Sequence, residues 1–189
     1  MGEGRLTVEP TPEGRRSELI LEANVPGVPV MGEFKSRTGP QGCTTEFVKK
    51  LTFGMRKSEE RTSIVPGSGE AERKTSAEGA GKSKLAVGPC PHDALAYLDL
   101  LRKELAAGRI PPEQQILFGA LYTIRLRHLG AQKVPVAGEA IDADRFEVAV
   151  KGPASATTFE LSIARDATRT PLLAVVPFSM GAFRLELIR

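Results

Sequence analysis

Apolar residues recur at every second position through much of the carboxy-terminal half of the chain. The runs from Phe146 to Val150 and from Phe159 to Ile163 are clear examples. A period of two is typical of β-strands because successive side chains leave a strand on opposite faces. Each run ends in sequence rich in Gly, Pro or Asp, and Gly130 is predicted to mark one of the turns. The alternation therefore predicts many short antiparallel strands.

One segment has the period of a helix instead. Asp93 can cap it by accepting backbone N–H bonds, and Gly108 can end it because a residue without Cβ adopts positive φ easily. This pattern predicts a helix over about residues 92–107. Its apolar stripe has the spacing i, i+4, i+7 and i+11 and consists of Ala94, Leu98, Leu101 and Leu105.

The length of 189 residues allows one substantial core and is short for two. We expect a loose lead-in over residues 1–16 and a single β-rich domain over residues 17–189. Residues 56–84 are polar and form either a hairpin that turns at residues 66–69 or a mobile loop; the hairpin is favoured because long structureless loops are uncommon. The predicted fold is mainly β, an antiparallel meander that closes into a barrel or a curled sheet, with one amphipathic helix.

Composition excludes several partners. The net charge is +3, and the basic residues are scattered among acidic ones. The chain has no Trp and two Tyr, so aromatic platforms for bases are scarce, and we expect no nucleic-acid partner. No apolar run approaches the 18 or more residues of a transmembrane helix, so we expect no membrane span.

Three motifs lie in the second half of the chain. Asp93 to Arg102 consists of Asp, small and apolar residues and a final Leu-Arg, and a Gly follows downstream. Phe159 to Ala164 leads into Arg165 to Leu172 as a strand, a turn and a strand, and Ser179 to Gly181 precedes the terminal apolar strand. These motifs resemble the bacterial domain-of-unknown-function family numbered 3108, over the stretch from Cys90 to Arg189. The resemblance implies an exported, β-barrel-like protein of the bacterial envelope with no assigned activity.

The amino terminus leaves the location open. Residues 1–6 contain no apolar segment of the kind that directs export. A periplasmic or exported location follows from the resemblance if the start was trimmed, and a cytoplasmic one follows if Met1 is the authentic start.

Asp166, between Arg165 and Arg169, is the strongest polar candidate for a site. A carboxylate between two guanidiniums can recognise a charged group. The alternative, which we favour, is an Asx-type turn between two strands that is braced by charge pairs. His128 shares a strand face with apolar residues and is interpreted as structural.

Other chemistry is not expected. No nucleophile, base and orienting group can be assembled from the motifs, so we predict no catalytic residue and no enzyme. Cys43 and Cys90 form either one disulfide or remain two buried thiols, and with two histidines they are too few to predict a metal site. No cofactor is expected.

Two functions from different classes remain. The first is a binding module that holds an apolar small molecule or a lipid inside the barrel. The second is a structural or interaction module, with a side-chain-filled interior and another envelope protein as its partner. For the first, the residues expected to line the ligand are Tyr122, Ile124, Leu126, Phe159, Leu161, Phe183 and Leu185.

Overall fold

Strands predominate, as the alternation predicts. The computed structural model describes residues 2–25, 28–76, 81–178 and 181–187, so the predicted turn at Ser179 and Met180 lies outside the described residues. The described residues contain fourteen strands and one helix. The elements are β1 (Gly2–Thr11), β2 (Gly14–Val25), β3 (Val28–Thr38), β4 (Thr44–Phe53), β5 (Arg56–Ile64), β6 (Glu70–Thr75), β7 (Gly81–Ala86), β8 (His92–Asp93), α1 (Ala94–Ala106), β9 (Gln114–Leu117), β10 (Leu121–Val136), β11 (Glu139–Lys151), β12 (Ala156–Ala164), β13 (Pro171–Phe178) and β14 (Gly181–Glu186).

The first sheet is a meander of hairpins. Its seven strands lie in the order β1 to β7, and each strand pairs antiparallel with the one before it in sequence. One apolar cluster on this sheet is built on Phe34 and Phe47, which pack with Leu95 of α1. A second cluster joins Ile64 and Ala71 to Leu117.

The expected loose lead-in is wrong, because residues 2–11 form β1. This strand pairs with β2 from Gly2 to Thr11 and lies at the edge of the sheet. Its described residues from Gly4 to Pro10 are exposed, so the backbone hydrogen bonds to β2 hold the strand in the sheet. Pro10 is tolerated at the edge because a strand there needs no N–H on its free side.

The polar segment 56–84 adopts the hairpin alternative. β5 and β6 turn between Val65 and Gly69, where the Ser68 N–H donates to the Val65 carbonyl. Gly67 and Gly69 have φ of 79° and 69°, which only glycine adopts without strain. β7 then adds a further strand to β6.

The second sheet has the order β14-β13-β12-β11-β10-β9-β8 and is curled into a half-barrel. Its strands from β10 to β14 pair antiparallel. β8 and β9 pair in parallel, with His92 opposite Ile116. A parallel pair needs a crossover connection, which α1 supplies. The predicted class, a mainly β curled antiparallel sheet with one helix, is confirmed.

The predicted ends of the helix are confirmed. Asp93 Oδ1 accepts hydrogen bonds from the N–H groups of Leu95 and Ala96, as an N-cap does. At the other end, Gly108 has φ of 74° and donates to the Leu105 carbonyl, while Arg109 N–H donates to the Glu104 carbonyl. This bond pattern is a Schellman motif. Within the described ranges, no helix has the length and apolar character needed to cross a membrane.

The chain contains two compact units. One comprises the residues up to Leu98 together with Ile116–Leu121, and the other comprises Asp99–Gln115 and the residues from Tyr122 onward. The expectation of one domain over residues 17–189 stays a prediction. Two compact units with separate apolar clusters can belong to a single domain or form two separate domains. A buried cluster of the second unit consists of Val134, Val136, Ala143, Ala164 and Leu172.

Candidate functional site

Strand register places the predicted lining residues on one face of the second sheet. Directly opposed residues in an antiparallel pair project to the same side. Leu126 is opposite Val148, and Val148 is opposite Phe159. The same relation links Phe146 to Leu161 and continues to Ala174 and then Leu185. We call this face the apolar row and define it by Tyr122, Ile124, Leu126, Phe146, Val148, Phe159, Leu161 and Leu185.

Exposure increases from the middle of the apolar row to its flank. Phe146 and Val148 are buried. Leu126 and Phe159 are half-buried, and Leu185, on the last strand, is 45% exposed. Phe183 of β14 lies opposite Val176 of β13, and the structure does not describe its side chain.

A close approach fixes the first residue of the row. The Tyr122 ring lies against the backbone of Gly152, where a Cβ would overlap ring atoms Cε1 and Cδ1. Gly152 N–H donates to the Ser155 carbonyl at 2.7 Å in the turn after β11. Glycine at this position therefore leaves room for the ring.

A polar cluster adjoins the apolar row. Asp144 Oδ1 lies 3.1 Å from His128 Nε2 and 3.2 Å from Arg165 Nε, and its Oδ2 lies 2.9 Å from Arg169 Nη1. We call these four residues the Asp144 cluster. Asp144 is nearly buried, while the side chains of Arg165 and His128 are 53% and 40% exposed. The carboxylate of Asp144 is thus in contact with two guanidiniums and one imidazole at the protein surface.

A β-bulge positions His128. The pairing of β10 with β11 shifts between His128, opposite Phe146, and Gly130, opposite Arg145. Gly130 has φ of 111°, which a glycine adopts without strain. The predicted turn at Gly130 is therefore wrong: β10 continues to Val136 and absorbs the glycine as a bulge, which bends the strand and redirects neighbouring side chains.

The turn after β12 positions the two arginines. Asp166 Oδ1 accepts bonds from the Thr168 hydroxyl and the Arg169 N–H, both at 2.8 Å, so it closes an Asx-type turn. Burial alone would raise the pKa of Asp166, but these bonds and further backbone N–H groups outweigh it and lower the pKa. Arg102 of α1 donates twice to the Thr168 carbonyl. Arg169 has a positive φ of 48°.

The predicted polar candidate groups Arg165 and Arg169 with Asp166, whereas the structure pairs both guanidiniums with Asp144. Asp166 stabilises the turn through its hydrogen bonds. The carboxylate that forms ion pairs with both guanidiniums is Asp144, which lies 25 positions before Arg169. A signal for Asp144 exists in the sequence. It stands two residues before Phe146, where the alternation requires an apolar side chain, so it is a carboxylate on an otherwise apolar face.

A separate buried network lies in the first unit. Asp93 Oδ2 accepts bonds from Ser36 Oγ at 2.5 Å and Thr44 Oγ1 at 2.8 Å, and the Asp93 N–H donates to Thr44 Oγ1. Next to Thr44, Cys43 forms a disulfide with Cys90. Burial raises the pKa of Asp93, although its hydrogen bonds oppose the shift. This network joins β3, β4 and the start of α1, and its four donors to one carboxylate leave no site for a ligand on Asp93.

Phe118 and Gly119 are held on the first sheet by charged groups. Lys49 Nζ lies 2.9 Å from Glu60 Oε1 and 5.1 Å from the centre of the Phe118 ring. Arg73 Nη1 donates to the Gly119 carbonyl at 2.5 Å. We interpret these contacts as structural, since they fix the segment between β9 and β10.

Over the described ranges, no group of three or more His, Cys, Asp or Glu side chains is arranged to hold a metal ion. Comparison of the chain with family models finds no match, and comparisons with curated proteins and with solved structures find none either. The resemblance to the family numbered 3108 therefore stays a prediction.

Proposed function

We propose that this protein is an exported, non-enzymatic protein of the bacterial envelope that binds an apolar, lipid-like molecule along the apolar row. The observation that carries the proposal is the gradient of exposure on that face. Its buried middle continues, without an intervening polar side chain in the register, to half-buried Leu126 and Phe159 and to exposed Leu185.

Apolar surface left in water is unfavourable by about 25 cal/mol per Å². A contiguous apolar strip that reaches the surface is therefore typical of a ligand or partner site, and ligand pockets are mostly apolar with a few placed polar groups. An acyl chain or similar molecule laid along the row would cover this surface.

The Cys43–Cys90 disulfide supports the exported location. Disulfides persist in oxidising compartments such as the bacterial periplasm and are rare in the cytosol. The resemblance described above implies the same compartment.

The first test is extraction of the native ligand. Full-length protein purified directly from a bacterial periplasm is analysed by native mass spectrometry and by solvent extraction. We expect a bound apolar species of defined mass. Repeated preparations without any such species would contradict the proposal.

The second test places a charge at the exposed end of the row. In Leu185→Glu, a carboxylate must be desolvated when an apolar ligand binds, so the affinity for a fluorescent apolar probe should fall about tenfold. Val65→Glu is the matched control, because Val65 is also exposed, at 71%, and lies in the first unit. Equal probe affinity in the two variants would argue against binding at this face.

A further inference from the structure

The Asp144 cluster and the apolar row share one face of the second sheet. His128 lies opposite Phe146, and their ring centres are 5.2 Å apart. Asp144 precedes Phe146 by two residues, a distance of about 7 Å along a strand on the same face. A ligand that lies on the row would therefore reach the polar cluster with one end.

The cluster has more cationic than anionic groups. Arg165 and Arg169 share the single carboxylate of Asp144, and each guanidinium has five N–H donors. Arg165 contacts Asp144 through Nε at 3.2 Å, and its side chain is 53% exposed, so the guanidinium lies at the protein surface. Guanidiniums are suited to carboxylates and phosphates because their donors form a planar fork.

Arg169 has an unsatisfied donor. Its side chain is 19% exposed, and its Nε is buried with no hydrogen-bond partner among the described residues. A buried donor without a partner costs about 1–3 kcal/mol, and each instance in a protein requires an explanation. A head group that enters the cluster and reaches this Nε would supply the missing acceptor.

The turn holds the arginines in place before any ligand binds. Asp166 is engaged by Thr168 and by the Arg169 N–H, and Arg102 is engaged by the Thr168 carbonyl. A site ordered in advance loses less entropy when it binds a ligand.

From these relations, and on the basis of the function proposed above, we infer that the ligand is an anionic amphiphile whose carboxylate or phosphate head group binds Arg165 and Arg169. The acyl part lies on the apolar row. The head group accepts hydrogen bonds from the exposed guanidinium of Arg165 and from Arg169.

The test compares ligands with one chain length and different heads. Dodecanoate and monododecyl phosphate below their micellar concentrations, and uncharged dodecanol below its solubility limit, are titrated into the protein, by calorimetry or by displacement of a fluorescent probe. We expect one or both anions to bind about tenfold more tightly than dodecanol, the gain from a charge-assisted hydrogen bond. Whichever anion binds more tightly identifies the head group as a carboxylate or a phosphate.

Variants locate the head group. Arg165→Gln should abolish the preference for the anion and leave the affinity for dodecanol unchanged. Arg169→Gln should do the same, and Asp144 keeps Arg165 and His128 as partners in that variant. Arg127→Gln is the matched control, because Arg127 lies on β10, projects from the opposite face and pairs with Glu147. It should keep the full preference.

Two outcomes separate the inference from the proposed function. If the anions and dodecanol bind with equal affinity and Arg165→Gln changes nothing, the head-group site is wrong and apolar binding stands. If neither the anions nor dodecanol bind, both are wrong. Circular dichroism and the unfolding midpoint of each variant check that a loss of binding does not come from a loss of fold.

Discussion

The Ser36 hydroxyl donates a hydrogen bond to Asp93 Oδ2 at 2.5 Å, between residues that are 57 positions apart. The bond joins β3 of the first sheet to the residue that precedes and caps α1. The same carboxylate also caps the helix through Leu95 and Ala96, so one side chain serves both the helix and its attachment to the sheet.

Asp93→Ala should lower the free energy of unfolding by about 3–5 kcal/mol, because it removes the cap and leaves buried hydroxyl and N–H donors unpaired. Urea unfolding measures the change. Asp142→Ala is the control: Asp142 is exposed on β11, and its loss should change stability by less than about 0.5 kcal/mol. Similar losses in both variants would mean that the network contributes little.

The stability of the protein should depend on pH through Asp93. Burial raises the pKa of this carboxyl in the folded state, so the folded protein holds the proton more tightly than the unfolded chain. Its contribution is therefore fully present below the unfolded pKa of about 3.9 and is lost as the pH rises through the folded pKa. Wild type should lose stability relative to Asp93→Asn over that interval and then level off.

Urea midpoints of both proteins from about pH 3.5 to 7 test this sign. A gain of wild type over Asp93→Asn with rising pH would show that the four hydrogen bonds outweigh burial and lower the pKa.

The Cys43–Cys90 disulfide should stabilise the protein by about 2–4 kcal/mol, because it closes a loop of 47 residues in the unfolded chain. The double variant Cys43→Ser, Cys90→Ser should unfold at correspondingly lower urea. Wild type with reductant should match the double variant, and reductant should not affect the variant itself. Two free thiols in denatured, unreduced protein that was produced in an oxidising compartment would contradict the bond.

Gly119→Ala should destabilise the protein by about 1–3 kcal/mol more than Gly108→Ala. Both glycines have positive φ, 80° and 74°, so both variants carry the same backbone strain. A Cβ at Gly119 would lie 2.5 Å from Glu60 Oε2 and 2.9 Å from Lys49 Nζ, whereas a Cβ at Gly108 meets nothing within 4 Å. Thermal or urea unfolding measures the stability of both variants, and the difference between them gives the cost of the steric overlap at Gly119 without the backbone strain that both share. Equal losses would mean that the charged pair moves aside at little cost.

The parts of the fold that sequence predicts are those with local causes. The ends of α1 depend on Asp93 and Gly108, which act on residues at most five positions away. The turn between β5 and β6 depends on its own glycines. Where one face of a strand is buried, as at Phe146 and Val148, the alternation is visible without knowledge of partners.

The parts that sequence misses have distant causes. β1 is held by backbone bonds to β2 while its described side chains remain in water, so no pattern of burial marks it. Asp144 meets Arg169 because β11 and the turn after β12 come together, which depends on the register of two hairpins. Gly130 has the composition of a turn, and only the pairing of β10 with β11 distinguishes a bulge from a chain reversal.

The strict sequential pairing of β1 to β7 has a consequence for how the chain can be assembled. Each new strand needs only the preceding one as a template, so the sheet can grow from the amino terminus with short loop closures, as in proteins of low contact order. The parallel β8–β9 pair has no such freedom, since α1 must first span the distance between its strands. Cys90 likewise follows β7 along the chain, so oxidation of the cysteines locks a sheet whose strands can already have been added one by one.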